Sequence, residues 1–586
     1  MRDREVQRHG IGNGRRWWDR EVGYEVYIRS FADGNGDGVG DLPGLTGRLD
    51  HLAWLGVGIV WITPFYPSPM RDFGYDVADY TGVDPLFGTL DDFDDCIAEA
   101  RRLGLRVLID LVPNHTSDQH RWFQTSRADP DGPLRGFYHW RDPAPGGGPP
   151  NNWVSHFGGP AWTYDESSGQ YYLHLFLPEQ PDLNWSNPNL VREFDQVLLF
   201  WLDRGVDGFR VDVAQGLVKN MLMPDNPQRF PVAPNMSPRQ VFDCYDHRYD
   251  LDQAGNAAIY RRWRAIVEDC DAMLLGEVYL RDNNPNRVSR YVAKQDGLHR
   301  AFYFAPMHTP WDPPAMWSTF RDALDAAPQD LSWAISSHDD PRAPTRLGGG
   351  ELGRIRALSY SVLLFALPGL PFLYQGDELG LTDVDVSPDQ RRDPVAVRNR
   401  NPGDGRDGCR TPMPWAPGPG GGFTDGQEPW LPVGRADTET VAVQRDDPSS
   451  ILHKYRELLA VRRELEDLHT HSRGAGDPYA GNPASGTPPV GDPYAGTPPV
   501  GVPPGGGLEW LTDRSVPVIS FRRGDCVCAL NVAEVPTELR LPPGQWQLAF
   551  SSRRPAGAVV ESAISLDAPE GVLLVRVPGK SNTRPT

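Results

Sequence analysis

Sulfur is scarce in this chain of 586 residues: it has six cysteines, Cys96, Cys244, Cys270, Cys409, Cys526 and Cys528, and no CxxC pair among them. So long a chain has no need of a disulfide framework, and the expectation is a reduced interior in a cytoplasmic protein. Long apolar runs are also missing. No uninterrupted stretch reaches membrane-spanning length, and the opening "MRDREVQRHGIGNGRRWW" lacks the apolar centre of a signal peptide, so no membrane partner is expected. Positive charge is in deficit, with a formal net charge of -20 at pH 7, which argues against nucleic acid as a partner. What the chain does have is aromatic surface, 18 Trp, 20 Tyr and 22 Phe. Flat rings beside carboxylates and glycines are a common surface for stacking sugars, although most of these rings belong to the core.

Short β-branched or aromatic runs alternate with segments long enough for helices. The runs are "EVYIRSF" (25–31), "GIVWITPFY" (58–66), "RVLIDLV" (106–112), "GFRVDVA" (208–214), "MLLGEVY" (273–279), "AFYFAP" (301–306), "SWAISSHD" (332–339) and "LPFLYQGDE" (370–378). Thr89 and Asp92 form a capping-box pattern ahead of Phe93, Ile97 and Ala100 at helical spacing. Leu190, Phe194, Val197 and Trp201 have the same spacing, and "ILHKYRELLAVRREL" (451–465) is a third amphipathic helix. Eight such strands predict an α/β fold, a (β/α)8 TIM barrel.

Residues 1–112 and 186–471 make up the barrel in this division, interrupted at 113–185 by an inserted subdomain rich in Gly, Pro, Trp and His. Residues 472–507 are low-complexity, with "GDPYAG" and "GTPPVG" each occurring twice, a composition that packs no core. Alternation after 508 predicts an antiparallel β-sandwich over 508–586.

The barrel places its chemistry where strands end, and here those ends carry Asp110, Arg210 with Asp212, Glu277, and His338 with Asp339. Side chains two apart on a strand share a face, so Arg210 and Asp212 point the same way. A guanidinium so close is expected to hold Asp212 ionised, as a nucleophile requires. Glu277 follows an apolar strand and a glycine, and burial there is expected to keep it protonated, as a general acid requires. Three acids with Arg and His at one barrel mouth suit glycosyl transfer, one attacking, one donating a proton and one holding hydroxyls. A metal site built from the same residues is disfavoured, because a buried arginine beside Asp212 opposes a second cation.

"ADGNGDGVGDL" (32–42) begins like a calcium-binding EF-hand loop, with Asp33, Asn35 and Asp37 at alternate positions and Gly38 at the turn. It does not finish as one: the twelfth position, where a bidentate Glu belongs, is Gly44.

The ordered motifs "GIVWITPFYPSP", "DFGYDVADY", "DLVPNHTS", "QPDLNW", "GFRVDVA", "GEVY", "SSHDD" and "GLPFLYQGDELG" resemble glycoside hydrolase family 13, the α-amylase family, and within it the α-glucosidase and oligo-1,6-glucosidase group. The resemblance covers nearly the whole chain. It implies Asp212 as nucleophile, Glu277 as acid/base and Asp339 as transition-state stabiliser. It implies Arg210, His115 and His338 gripping the terminal glucose, with Asp72 on its outer hydroxyls and Tyr75 against its ring. "RDGCRTPMPW" would supply one more arginine, taken to be Arg410 in preference to Arg406. Phe157, Phe176 and Gln180 match positions that shape the entrance and the leaving-sugar site. For the acidic loop it implies a structural Ca2+, with Mg2+ as the substitute, held by side chains of Asp33, Asn35, Asp37 and Asp41 and the carbonyl of Val39; oxygen ligands suit such a hard ion. No organic cofactor is implied.

Two departures bear on specificity. Ser337 stands where the family has Asn before "HD", and Val213 follows the nucleophile, a choice that in this group accompanies α-1,6 cleavage. The surrounding "VDVAQGLVK" looks more like enzymes of broader or α-1,4 preference, so linkage stays open. The function implied is a retaining, exo-acting α-glucosidase acting on maltose, isomaltose, maltooligosaccharides or sucrose. The alternatives are a glucosyltransferase or isomerase with the same acids and, remotely, a non-catalytic relative.

Overall fold

The computed structural model describes residues 16–293, 296–327, 329–399, 405–435, 437–473 and 507–578. Eight parallel strands close into a barrel in the order β1-β11-β10-β9-β8-β7-β3-β2. They are β1 (Gly23–Val26), β2 (Ile59–Ile62), β3 (Arg106–Leu111), β7 (Gly208–Val211), β8 (Met273–Glu277), β9 (Arg300–Phe302), β10 (Leu331–Trp333) and β11 (Leu370–Tyr374). All eight expected strands are present, and each stops short of its expected C-terminal end. "SWAISSHD" is strand only to Trp333, and "EVYIRSF" turns into a 3-10 helix at Ile28–Ser30. The backbone leaves the sheet there and turns polar side chains over the barrel mouth.

Both faces of these strands are buried, which explains runs that are apolar without alternation. Inside the barrel Ile59, Trp61, Leu108, Met273, Leu275, Phe302 and Phe372 interdigitate. Outside, Val60, Ile109, Phe209 and Val211 join the core formed with the surrounding helices. The helix Leu90–Arg102 starts with the expected capping box of Thr89 and Asp92. The helix Pro188–Arg204 places Trp201 against Phe93, ring centroids 4.9 Å apart.

Between β3 and β7 lies a small antiparallel sheet, β4 (Trp140–Arg141), β6 (Gln170–Leu173) and β5 (Trp162–Asp165), in the order β4-β6-β5. It falls within the expected inserted subdomain. The C-terminal strands are β12 (Leu508–Trp510), β13 (Val518–Arg523), β14 (Cys526–Asn531), β15 (Thr537–Arg540), β16 (Trp546–Ser551), β17 (Val559–Val560), β18 (Ala563–Leu566) and β19 (Glu570–Arg576). They form a six-stranded antiparallel sheet, β12-β13-β14-β19-β16-β17, and a β15-β18 pair. Leu539, Ile564 and Leu566 of the pair pack on Val527, Trp546 and Leu574 of the larger sheet. The opposite face of that sheet presents Ile519, Phe521, Cys528 and Leu573 to the barrel's core. Of the low-complexity stretch 472–507, residues 474–506 lie outside the described residues. No described helix is long and apolar enough to cross a membrane.

Candidate active site

A cavity of about 380 Å³ opens at the C-terminal ends of the barrel strands. At its floor β3 and β7 run in register, pairing Asp110 with Arg210. The Arg210 guanidinium is divided among three carboxyls. Nη1 donates to Asp110 Oδ1 and Oδ2 at 2.9 and 3.1 Å and to Asp212 Oδ1 at 2.7 Å, and Nη2 reaches Glu277 Oε2 at 2.8 Å. The cation lies 4.7 Å from the Trp61 ring centroid. Trp61 Nε1 and Tyr75 Oη donate to Asp110 Oδ2 at 3.2 and 3.1 Å.

One guanidinium does not neutralise three acids, two of them buried. Burial pushes Asp212 well above the carboxylate range; Arg210 opposes this, and the Glu277 and Asp110 carboxyls add to it. Burial lifts Asp110 to about 6, again against Arg210. Arg210 favours ionised Asp212, as expected, but its charge is shared with Asp110 and Glu277, and burial works against it. Asp212 Oδ1 and Glu277 Oε2 meet on the one Arg210 guanidinium, at 2.7 and 2.8 Å.

Asp339 follows β10 and opens to the cavity with 40% of its side chain exposed. Arg410 Nη2 and Arg406 Nη1 both donate to its Oδ1, at 2.7 and 3.0 Å, and His338 Nε2 lies 3.6 Å away. Against a burial penalty, His338, Arg406, Arg410 and Arg210 together hold Asp339 well below the carboxylate range. Ser337 Oγ accepts from the Asp339 amide at 3.2 Å, so the serine shapes the turn that presents the acid.

His338 is clamped between Tyr27 and Tyr75, stacked at 5.5 and 5.4 Å with interplanar angles of 13° and 11°. Its Nδ1 is hydrogen-bonded to Glu25 Oε1 and its Nε2 lies 2.9 Å from Tyr75 Oη. Asp72 accepts from Arg406 Nη2 at 3.0 Å and from Gln180 Nε2 at 3.2 Å. Burial raises Asp72, while Arg406 and Arg410 oppose that rise. His115 spends Nε2 on the Tyr75 carbonyl at 3.1 Å, and its Nδ1 lies 3.1 Å from Asn114 Nδ2. Burial lowers it to about 4, which keeps it neutral.

The structure thus brings together Asp72, Tyr75, His115, Phe157, Phe176, Arg210, Asp212, Glu277, His338 and Asp339 around one cavity. Gln180 is fully buried behind the wall and acts on it through Asp72. Arg410 is a correction. It is buried, it donates through Nε to the His338 carbonyl at 2.7 Å, and it lies 5.3 Å from the Tyr27 ring centroid, outside the lining. Arg406 is the arginine in the wall, 5.3 Å from the Phe157 ring centroid. The reason is Asp393, which accepts from Arg406 Nε and Nη2, both at 2.9 Å, and aims the guanidinium at Asp72 and Asp339.

Sequence reasoning missed Glu25, Trp61 and Asp393, and left Asp110 without a role. Glu25 and Asp110 carry a signal in hindsight, since each is an acid within an otherwise apolar strand. Asp393 carries none.

In the 33–41 loop Asp33 accepts from the amides of Asn35, Gly36 and Gly38, and Asp41 Oδ1 from those of Gly34 and Gly44. Gly38 has φ 90°, and a Cβ there would lie 2.3 Å from the Glu428 carbonyl oxygen. Among the described residues no three His, Cys, Asp or Glu side chains converge as an ion-holding group. Asp41 Oδ2, however, is buried without a partner, and burial followed by the Asp33 and Asp37 charges raises this carboxyl.

Acids crowded over the strand ends of an eight-stranded parallel barrel are the layout of a barrel enzyme's active site. Residues 25–471 match the family model of the α-amylase catalytic domain, and the chain belongs to the α-amylase family. It is 43% identical over 459 residues to a probable α-glucosidase of Rhizobium meliloti (strain 1021), covering 77% of this chain and 83% of that protein. It is 38% identical over 478 residues to an oligo-1,6-glucosidase of Halalkalibacterium halodurans, covering 76% and 84%. Among solved structures it superposes on the α-glucosyl transfer enzyme XgtA with a TM-score of 0.81 at 36% identity, covering 95% of this chain and 99% of that one.

Proposed function

We infer that this protein is a retaining, exo-acting α-glucosidase that hydrolyses terminal α-1,4- and/or α-1,6-linked glucose from short oligosaccharides. The arrangement that carries the reading is Asp212 and Glu277 both bonded to the Arg210 guanidinium, with Asp339 lining the same cavity. Asp212 attacks C1 as a carboxylate while Glu277 gives its proton to the departing glycosidic oxygen. Glu277 then takes a proton from water, which attacks C1 and releases glucose from Asp212. Asp339, already anionic, faces the developing positive charge. Asp72, Arg406 and His338 are placed to take the hydroxyls of one terminal glucose, with Tyr75 flanking its ring.

Transfer of the glucosyl group to a second sugar is the alternative, and the likeness to XgtA favours keeping it in view. Incubation with maltose, isomaltose, sucrose and trehalose, followed by product chromatography, separates the two. Free glucose without larger products supports hydrolysis; isomaltose or panose from maltose supports transfer.

A hard divalent cation, Ca2+ or in its place Mg2+, is proposed for the 33–41 loop, structural and apart from the chemistry. The unpartnered Asp41 Oδ2 among like charges supports it, because an oxygen-ligated ion would satisfy that atom. A cytoplasmic location belongs to the same reading, supported by six free cysteines. So does the division of the chain at 112/113, 185/186 and 507/508, supported by the small β4–β6 sheet and by the C-terminal sheets that begin at Leu508.

A further inference from the structure

The stretch 113–185 contributes four residues to the cavity wall: His115, His156, Phe157 and Phe176. Two are apolar, and His115 has both nitrogens against protein partners. His156 is different. Its ring lies between Phe176 and Phe242, at 4.8 Å and 15° on one side and 4.0 Å and 26° on the other. Phe242 in turn stacks on His247 at 3.5 Å and 10°, and His247 is pinned by Asp250 Oδ2 at 2.8 Å. With both faces covered, only the edge of the His156 imidazole is open to a ligand.

That edge carries unspent hydrogen bonding. Nε2 is enclosed and has no partner, and among the described residues no side-chain hydrogen bond is made by either ring nitrogen. Burial, then the charges of His247, Arg281, Lys219 and His115, pushes the imidazole well below its usual value, so it is neutral and has one N–H. An enclosed N–H without an acceptor costs more than an enclosed lone pair. This places the proton on Nδ1, the nitrogen that is not enclosed. Phe242, on which His156 stacks, is followed by Asp243, whose Oδ1 accepts from Arg281 Nε at 2.6 Å, and Arg281 Nη1 donates to Tyr279 Oη at 3.1 Å, two residues beyond Glu277. His156 therefore borders the part of the cavity on the proton donor's side, where the leaving group departs.

We propose that His156 donates a hydrogen bond to a hydroxyl of the group beyond the scissile bond, the leaving sugar in bond cleavage and the acceptor sugar in transfer. The inference rests on the glucosidase reading and extends it. It makes His156 a specificity residue that favours hydroxylated aglycones over flat aryl ones, which offer nothing to that N–H.

The test compares His156→Phe, which keeps the aromatic stack, with the wild type on maltose, isomaltose and 4-nitrophenyl α-glucoside. The expected result is kcat/KM on the disaccharides lowered about five- to tenfold, one hydrogen bond's worth, and on the nitrophenyl glucoside unchanged within about twofold. The share of the nitrophenyl-derived glucosyl group captured by added maltose should fall with it, and His156→Gln should restore part of both losses. Equal losses on all three substrates, or no loss on any, would overturn the inference while leaving the glucosidase reading in place. A wild type inactive on all three would overturn both.

Discussion

The amide of Val213 donates to Glu277 Oε2 at 3.0 Å from a left-handed backbone with φ 45°. A β-branched residue rarely adopts that conformation, and holding it costs about 1–3 kcal/mol. The strain turns the residue after Asp212 so that its N–H orients the Glu277 carboxyl and its side chain lines the cavity. Val213→Ala keeps the amide and removes two methyl groups. Activity on 4-nitrophenyl α-glucoside should stay within about threefold, while the isomaltose-to-maltose ratio of kcat/KM falls about tenfold, the size of a one-to-two-carbon change in a pocket. Competition assays with both disaccharides measure the ratio directly.

Removing the attacking carboxylate should abolish turnover. Asp212→Asn is expected to lose roughly 10⁴-fold or more in kcat, the scale seen when a nucleophile is deleted. Glu277→Gln should lose about 10²–10⁴-fold on maltose, which needs protonation of its leaving oxygen. It should lose less in kcat/KM on the nitrophenyl glucoside, whose leaving group needs no proton. Azide should accelerate that variant and yield a glucosyl azide of retained anomeric configuration, observable by NMR.

The pH profile should report the crowded cluster. Asp110, lifted to about 6 by burial against Arg210, and Asp212, raised by burial and by its acid neighbours, move the acid limb of kcat/KM up from the ordinary carboxylate range. The Asp110 charge raises Asp212. Asp110→Asn removes that repulsion, favours ionised Asp212 and moves the acid limb to lower pH. A limb that moves upward would contradict the shared-guanidinium account.

The two arginines near Asp339 should part in their effects. Arg406→Ala strips a cation from Asp339 and from the buried Asp72 and Asp393, and about a hundredfold loss in kcat/KM is expected together with a lower Tm, because two enclosed carboxylates lose their partner. Arg410→Ala leaves a buried cavity and an unmet His338 carbonyl, and unfolding should be easier by about 3–5 kcal/mol. Thermal melts and steady-state kinetics on both variants make the comparison.

The acidic loop is testable without kinetics. Chelator treatment should lower Tm by several degrees and Ca2+ should restore it, since an ion bound only to the folded state stabilises by about 2.7 kcal/mol at a hundred times its Kd. Asp41→Asn should abolish that response.

Much of the site was legible because it is local. Arg210 and Asp212 share a strand face, His338 and Asp339 are adjacent, and strand ends in a barrel converge whatever the loops do. The Arg410 assignment failed for a long-range reason: Arg406 and Arg410 lie in the same short segment, and only Asp393, thirteen residues upstream of Arg406, decides which one enters the cavity. Glu25 stayed hidden because its partner, His338, is 313 positions away in the chain.

Alternation of apolar runs and helical spacing determined the barrel, the antiparallel tail and the position of Asp212, Glu277 and Asp339 at strand ends, because patterning and strand direction act over a few residues. Only the tertiary structure decided how one guanidinium is divided among Asp110, Asp212 and Glu277, and that His156 faces the cavity with its hydrogen bond unspent. Burial and charge sharing depend on groups that meet only when distant segments pack, and no local pattern records them.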